Sequence, residues 1–386
     1  MNQTFLKQHS SGFQFKLHPK NTGYSISLGP DTVYSFDPED RLIWVYQSGT
    51  GYQRGLSGAV LAKTRNSQGK KRWLLNLEEQ ARLFQKVLAD LNTLHALIEP
   101  HEQAVIEKLL AKNGEALASE SLSFQAIYRP ISILPPDQYS AIVVQAAEGC
   151  SWNRCHFCNF YKDRRFRIKS ETEFIEHLQA VSNYLGKSAL TRKGLFLADG
   201  DALMIPQPHL LKLIADMQQV FPGRPWYSFM DAFRPQAKQI SDYQRLAETG
   251  LKRVYLGIES GYGPLLSLLN KPGDPELMLT EVLRLKEAGL QVGLILMIGI
   301  GGRQMAAEHL SESLKFLDAL PLDKGDIVYL SEFIEHPDQP YHQQALEQGI
   351  TPLSEQEIQT QIQAFKQGLR HSLAQVSPYH LMEYIY

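Results

Sequence analysis

The chain has 386 residues, more than one hydrophobic core usually serves, so its length predicts a large domain with additional segments. Hydrophobic residues make up 43% of the chain and charged residues 21%, as is typical of globular proteins. A formal net charge of −2 gives no electrostatic reason to expect binding to nucleic acid or to an anionic membrane. The longest apolar run, residues 294–300, is too short to span a bilayer, so no membrane partner is expected.

The first part of the chain, residues 1–125, is predicted to form an α+β extension. Strand-like segments separated by turn residues occur in its first half, at residues 24–28, 32–36 and 42–46. The second half has a helical pattern around residues 77–112.

Residues 126–340 are predicted to form an α/β core, because short apolar segments alternate there with longer helical ones. The predicted strands are residues 141–145, 194–198, 226–231, 253–257, 291–298 and 326–332. The predicted helices are residues 172–185, 209–221, 240–248, 275–288 and 305–319. This alternation implies parallel strands with right-handed crossovers, which fit a partial (βα)6 TIM-like barrel. An open doubly wound sheet fits the same periodicity.

Two capping patterns mark helix starts. Ser170 and Glu173 form the S-x-x-E capping box at the start of the first core helix. The same box recurs at Ser354 and Glu357, so residues 341–386 are predicted to form a C-terminal helical extension.

All three cysteines of the chain, Cys150, Cys155 and Cys158, lie within nine residues that follow the first core strand. In both architectures reactive residues gather at the carboxyl ends of parallel strands. With no other cysteine available for a disulfide, we expect a reducing compartment, the cytoplasm. Three thiolates on one short loop can bind three irons of an iron–sulfur cube and leave the fourth iron free.

A zinc site is the alternative use of these cysteines. His156 would have to be the fourth ligand. It lies between two cysteines in sequence, which makes it difficult for its side chain to reach the same ion. Structural zinc sites also usually use two separated pairs of ligands.

The segment from Cys150 to Cys158 resembles the radical S-adenosylmethionine (SAM) superfamily, in which three cysteines after the first strand hold a [4Fe-4S] cluster. Phe157, the aromatic residue before the last cysteine, also matches this family. The common spacing in the family is C-x3-C-x2-C, and this chain has one more residue between Cys150 and Cys155.

The resemblance continues after the second core strand, where the family usually has a Gly-Gly-Glu-like turn that binds the amino group of SAM. This chain has Asp199, Gly200 and Asp201 at that place. A carboxylate facing an ammonium group forms a strong, charge-assisted pair. The alternative is an ordinary strand-to-helix turn in which Asp201 acts near a helix start.

Two later segments are similar to a radical SAM subgroup that includes methylthiotransferases and coproporphyrinogen dehydrogenase. Glu259 and Ser260 follow the fourth core strand in a G-I-E-S segment, and Lys271 ends a matching L-L-N-K segment. The resemblance implies that Glu259 and Ser260 contact SAM or substrate, and a structural ion pair is the alternative for Glu259.

A glycine-containing turn follows the fifth core strand. The resemblance implies that Gly299, in this turn, packs close to the adenine of SAM. A dinucleotide-binding fingerprint is a poor match here, because Gln304 stands where its third glycine should be.

A basic segment follows the cysteines, with positive side chains at Lys162, Arg164, Arg165, Arg167 and Lys169. Solvated surface charges are the favoured interpretation, and a nucleic-acid patch is the alternative. One of these arginines, or Arg234 after the third core strand, is a candidate partner for the carboxylate of SAM.

The family resemblance covers about half of the chain and implies a function. The [4Fe-4S] cluster would reductively cleave SAM to a 5′-deoxyadenosyl radical that abstracts hydrogen from an unidentified substrate. An electron donor such as flavodoxin or ferredoxin would reduce the cluster. No cysteines remain for an auxiliary cluster, and no D-x-H-x-x-G cobalamin motif occurs in the first 140 residues. No catalytic side chain is identified. The rival hypothesis is a zinc-stabilised α/β binding protein, with nucleic acid as a candidate ligand.

Overall fold

The computed structural model describes residues 5–8, 14–20, 22–66, 69–114, 116–232 and 238–386. The chain divides into two compact units. The first, called the antiparallel unit here, comprises Met1–Pro130, Ala180–Arg192 and Met382–Tyr386. The second, called the parallel unit, comprises Ile131–Gln179 and Lys193–Leu381. The domain limits expected from the sequence, 1–125, 126–340 and 341–386, remain predictions.

The antiparallel unit is an α+β structure. In its described residues an antiparallel sheet of eight strands follows the order of the chain. The strands are β1 (Phe5–Gln8), β2 (Gln14–Lys20), β3 (Gly23–Leu28), β4 (Thr32–Phe36), β5 (Leu42–Gln47), β6 (Thr50–Arg54), β7 (Val60–Asn66) and β8 (Gly69–Leu74). The helices are α1 (Leu77–Leu97), α2 (Pro100–Asn113) and α3 (Ala116–Ile127).

Local sequence explains this unit. Ser48 and Gly49 both have positive φ, 48° and 80°, as a two-residue hairpin between β5 and β6 requires. The buried residues of the sheet, such as Tyr34 and Val45, join Val87 of α1 in one hydrophobic core. The sheet therefore buries one face against helices, as expected for an α+β extension.

The parallel unit contains the remaining strands and helices, except for residues 180–185 at the end of one helix, which belong to the antiparallel unit. Its strands are β9 (Ile142–Gln145), β10 (Ala147–Glu148), β11 (Arg167–Ile168), β12 (Leu195–Ala198), β13 (Trp226–Phe229), β14 (Leu251–Glu259), β15 (Gln291–Ile298), β16 (Ile327–Glu332) and β17 (Gln375–Tyr379). The helices are α4 (Glu171–Leu185), α5 (Gln207–Val220), α6 (Ile240–Glu248), α7 (Gly263–Leu268), α8 (Pro275–Glu287), α9 (Gly302–Asp318), α10 (Pro340–Glu347) and α11 (Glu355–Gly368).

Seven strands of this unit form one parallel sheet, in the order β17-β16-β15-β14-β13-β12-β9. All residues of β9 and β12 are buried, as expected of strands covered on both faces. The alternation of strands and helices confirms the predicted α/β core with parallel strands. Across the described residues β9 and β17 are the two edges of the sheet, so the sheet is open, as in a partial barrel.

The six predicted core strands are present, with ends that differ by at most two residues from the prediction. The seventh, β17, was not predicted from the sequence. Its segment Q-V-S-P-Y contains Pro378, which lacks an N–H donor and is tolerated at the edge of a sheet. The capping box at Ser354 and Glu357 is formed and starts α11.

No helix in the described parts of the chain combines the length and the apolar character needed to cross a membrane.

Candidate active site

The carboxyl ends of the parallel strands open onto a cavity of about 1080 Å³, a volume that includes space open to solvent. All three cysteines line this cavity, which we call the cysteine cavity. The other charged or titratable side chains on its wall are Asp231, Glu259, Lys271, Glu332, His336, Tyr161 and Tyr379. The predicted grouping of reactive residues at this end of the sheet is therefore present.

The loop that bears the cysteines is held by its neighbours. It leaves β10, which pairs with β11 further along the chain. The indole N–H of Trp152 donates to the carbonyl of Asn270 at 2.9 Å, and the Asn153 amide donates to the carbonyl of Tyr161 at 2.7 Å. Asn153 has a φ of 48°, so the loop turns sharply between Cys150 and Cys155.

Asp199 and Asp201 bind the start of the same loop. The Asp199 carboxylate accepts the N–H of Gly149 and the side-chain amide of Gln145, both at 3.0 Å. The Asp201 carboxylate accepts the hydroxyl of Ser151 at 2.6 Å. Burial raises the pKa of both carboxyl groups, that of Asp201 to about 7. Neither aspartate lines the cysteine cavity.

Gly200, between these two aspartates, does line the cavity. A Cβ atom at this position would lie 2.7 Å from the ring of Tyr161. The turn therefore offers backbone groups to the cavity, whereas its carboxylates are used to position the cysteine loop.

A carboxylate–lysine–carboxylate cluster faces the cysteines. The ammonium group of Lys271 lies 2.6 Å from an oxygen of Asp231 and 3.5 Å from an oxygen of Glu259. The Lys271 side chain is only 7% exposed. Burial alone would lower the pKa of Lys271, but Asp231 and Glu259 outweigh that effect and raise the pKa well above its usual value. The lysine is therefore a permanent cation.

Asp231 also approaches the cysteine loop. One of its carboxylate oxygens lies 4.0 Å from the sulfur of Cys150. From its sequence context Asp231 was expected only at the end of a strand, with no functional role. Its position next to a candidate ligand was not visible in sequence, because it depends on the neighbouring strand and on Lys271, which is 40 residues away along the chain.

Glu259 turns into the cavity through a local irregularity of β14. The pairing register with β15 shifts between Gly257 and Glu259, and Glu259 has a φ of 60°. This conformation is uncommon for a residue with a side chain and often occurs at functional sites. Burial raises the pKa of Glu259, and Lys271 opposes that effect. At Gly257 a Cβ atom would lie 2.4 Å from a carboxylate oxygen of Glu259, so only glycine leaves this side chain its place.

Two other predicted cofactor-binding residues lie outside the lining of the cavity. Ser260 is buried, and its hydroxyl lies 2.7 Å from Nδ1 of His309. The backbone N–H of Gly299 donates to the side chain of Gln361 at 2.9 Å. The predicted roles of Ser260 and Gly299 in binding SAM remain predictions.

His156, the candidate zinc ligand, does not line the cavity. Its Nδ1 lies 2.9 Å from the carbonyl oxygen of Leu268 and 2.9 Å from the side-chain oxygen of Gln344. These contacts hold the imidazole ring against α7 and α10.

Most of the basic segment is engaged in local contacts. Arg164 lies 3.5 Å from Asp199, Arg167 pairs with Glu148 at 2.8 Å, and the buried Lys169 donates to the carbonyl of Gln145 at 2.9 Å. Lys162 donates to a backbone carbonyl of the cysteine loop at 2.8 Å. Arg234, the other candidate for the carboxylate of SAM, lies outside the described residues.

The chemistry of the three cysteines suits an iron–sulfur cube. Among the described residues no three His, Cys, Asp or Glu side chains converge on the position of a single metal ion. In a cube each cysteine binds a different iron, so three sulfurs on the wall of one cavity fit this group. Burial raises the pKa of Cys150 to about 11 and that of Cys155 to about 12, so iron must displace the protons of these thiols on binding.

Comparison with known proteins found a match to a family model. Residues 144–317 match the family model described as Radical SAM superfamily. No curated protein matches the chain.

Several solved structures are similar to this chain. Coproporphyrinogen III oxidase from Escherichia coli, described as a radical SAM enzyme, is 15% identical, with 65% of this chain and 56% of that chain covered and a TM-score of 0.45. The radical SAM methyltransferase TsrM from Kitasatospora setae is 17% identical, with 57% of this chain and 41% of that chain covered and a TM-score of 0.42. SuiB from Streptococcus suis is 11% identical, with 84% of this chain and 70% of that chain covered and a TM-score of 0.42. The chain therefore spans about half the length of the first two.

The fold and the cavity define an α/β enzyme with its reactive groups at the carboxyl end of a parallel sheet. Because residues 144–317 match the Radical SAM superfamily model, the segment from β9 to α9 is a radical SAM domain. Enzymes of this superfamily use a [4Fe-4S] cluster and SAM, and these are the cofactors of this chain.

Proposed function

We propose that Cys150, Cys155 and Cys158 hold the [4Fe-4S] cluster by three of its irons and leave one iron for SAM. The observation that supports this proposal is that all three cysteines share one cavity with the Asp231–Lys271–Glu259 cluster. When bound and reduced, the cluster supplies the electron that breaks a carbon–sulfur bond of SAM and so starts hydrogen abstraction from a substrate.

The carboxylate–lysine–carboxylate cluster would bind the polar groups of SAM. Lys271 is the ion-pair partner of both Asp231 and Glu259, and its charge opposes the effect of burial on the pKa of Glu259. Ionised carboxylates form charge-assisted hydrogen bonds with an ammonium group and accept hydrogen bonds from ribose hydroxyls. The backbone of Gly200 remains the candidate contact for the amino group of SAM.

Asp199 and Asp201 would act on the cluster indirectly. Their carboxylates hold Gly149 and Ser151, on either side of Cys150, and so position the first cysteine. A ligand held in place before metal binding costs less conformational entropy to order.

The rest of the cavity wall would exclude water from the reaction. Apolar side chains of the parallel strands, including Phe229, Ile295 and Met297, line the cavity together with the cysteines. A dry site protects a reactive radical from side reactions. An electron donor such as flavodoxin or ferredoxin and a cytoplasmic location complete the proposal.

The test is an anaerobic purification with analysis of iron, sulfide and zinc, followed by reduction with SAM present. We expect about four irons per chain and release of 5′-deoxyadenosine. Cys155→Ala should lose both. His156→Asn is the matched control, because an asparagine amide can still donate to the Leu268 carbonyl that His156 contacts.

The control variant also separates the two hypotheses. If Cys150, Cys155 and Cys158 hold a cube, His156→Asn retains its iron. One zinc per chain in the wild type, lost in His156→Asn, would instead establish the zinc-stabilised binding protein. Cleavage of SAM that survives in Cys155→Ala would contradict the assignment of the ligands.

A further inference from the structure

Part of the wall of the cysteine cavity is apolar and comes from segments outside the cysteine loop. Side chains from three segments form this wall: Ile133 before β9, Phe333 and Ile334 after β16, and Tyr379 and Leu381 at the end of β17. A wall of this composition favours the burial of an apolar molecular body.

One carboxylate interrupts this apolar wall. Glu332, the last residue of β16, lines the cavity and is partly buried. Across the described ranges its carboxylate has no ion pair and no hydrogen bond, whereas Glu335, three residues later, lies 2.5 Å from Nδ1 of His342. A partly buried carboxylate without a partner is costly unless a ligand supplies one.

The charges around the cavity leave an excess of negative charge. Among the residues of its wall that the structure describes, Lys271 is the one lysine or arginine, and Asp231, Glu259 and Glu332 are three carboxylates. The cofactors do not change this difference. The negative charge of the three thiolates is larger by one than the positive charge of an oxidised [4Fe-4S] core, so the bound cluster carries one net negative charge. SAM carries one net positive charge, which balances it.

We propose that the substrate is a small, mainly apolar molecule with a cationic nitrogen that is bound by Glu332. This proposal rests on the function proposed above and names the substrate class for the same site. The apolar body packs against Phe333 and Tyr379, and the cation pairs with the carboxylate at the carboxyl end of β16. The pair is charge-assisted and partly desolvated, so it discriminates against neutral and anionic analogues.

The test compares three probes of similar shape: 2-phenylethylammonium, 2-phenylethanol and 3-phenylpropionate. Binding is measured by ligand-observed NMR, with S-adenosylhomocysteine present to fill the place of SAM. We expect the ammonium probe to bind about tenfold more tightly than the alcohol, and the carboxylate most weakly. In Glu332→Gln the affinity for the ammonium probe should fall to that for the alcohol, and the affinity for the alcohol should be unchanged.

Glu335→Gln is the matched control. It removes a carboxylate three residues away that is already paired with His342 and does not line the cysteine cavity. The preference for the ammonium probe should persist in this variant. Equal binding of the three probes, or a preference for the ammonium probe that persists in Glu332→Gln, would overturn the proposal.

The outcome does not depend on the radical reaction. Binding is read with and without reconstituted cluster, and iron content and 5′-deoxyadenosine release are measured on the same wild-type preparation. Absence of iron and of SAM cleavage would refute the proposed function. A wild type that cleaves SAM but shows no preference for the cationic probe would refute only the substrate class.

Discussion

The two ends of the parallel sheet use similar residues in different ways. At the carboxyl end, Asp231 faces the cysteine cavity and has one ionic partner among the described residues, Lys271. At the amino end, Asp137 accepts hydrogen bonds from the hydroxyls of Tyr255 and Tyr329 at 2.5 and 2.6 Å and pairs with Arg253 at 2.6 Å.

The difference lies in what the polar groups face. The partners of Asp137 donate hydrogen bonds to both of its oxygens, so the acceptor groups of this carboxylate are used within the protein. The groups at the carboxyl end converge on open space. In folds of this kind the carboxyl end is used for chemistry and the amino end for stability. Substitutions of the same type at the two ends should therefore separate activity from stability.

The largest difference is expected for removal of a cation. Lys271→Met should lower the rate of SAM cleavage by about 100-fold or more, because two carboxylates then lie unpaired where SAM binds. Arg253→Met, at the amino end, should retain cleavage and lower the melting temperature. Release of 5′-deoxyadenosine under strong reductant is the measurement, with iron content as the control for an intact cluster.

This pair of variants has a clear contrary outcome. Equal rates of cleavage in Lys271→Met and in the wild type, at equal iron content, would exclude the lysine cluster from SAM binding. A loss of cleavage in Arg253→Met with its thermal stability unchanged would contradict the structural role of the amino end.

Two glycines provide a second, smaller contrast. In Gly257→Ala the new methyl group meets the flexible end of Glu259 at 2.4 Å, so the carboxylate must move away from Lys271. We expect about a tenfold rise in the KM for SAM and little loss of stability. In Gly293→Ala the methyl group meets the buried ring of Tyr255 at 2.3 Å.

The second glycine variant should show the opposite behaviour. Overpacking against an aromatic ring in the core should lower the free energy of unfolding by about 1–3 kcal/mol, with the KM for SAM unchanged. Urea denaturation and steady-state kinetics measure the two effects. A rise in KM for Gly293→Ala, or none for Gly257→Ala, would remove the distinction between the two ends.

The smallest effect is expected for Asp137→Asn. An amide cannot replace a carboxylate that pairs with an arginine and accepts two tyrosine hydroxyls, so the free energy of unfolding should fall by about 1 kcal/mol. Denaturant titration checks this value. SAM cleavage should be unaffected, and a loss of cleavage in a folded variant would show that this end also takes part in the reaction.

Sequence alone predicts those features that depend on local patterns. The six core strands were predicted from their apolar segments. The cysteine loop was predicted from the spacing of the three cysteines and from their place after the first core strand, β9. Glu259 was a candidate because of its G-I-E-S segment after the fourth core strand, and the structure does bring it into the cavity.

Other features depend on contacts between distant residues. The carboxylates of Asp199 and Asp201 turn to the cysteine loop, because Gly149 and Ser151 supply donors that are 50 residues away in sequence. Asp231 gains its place from Lys271, which reaches it from the segment after α7. β17 is short and contains a proline, so its sequence does not indicate a strand that pairs with β16.

The most direct test of the proposed site is electron–nuclear double resonance of the reduced, reconstituted protein with SAM labelled at its amino nitrogen. If three cysteines hold the cube and one iron binds SAM, the spectrum will contain a coupling between the labelled nitrogen and the cluster spin. A reduced cluster with no such coupling in the presence of saturating SAM would contradict the proposal that one iron is left for this cofactor.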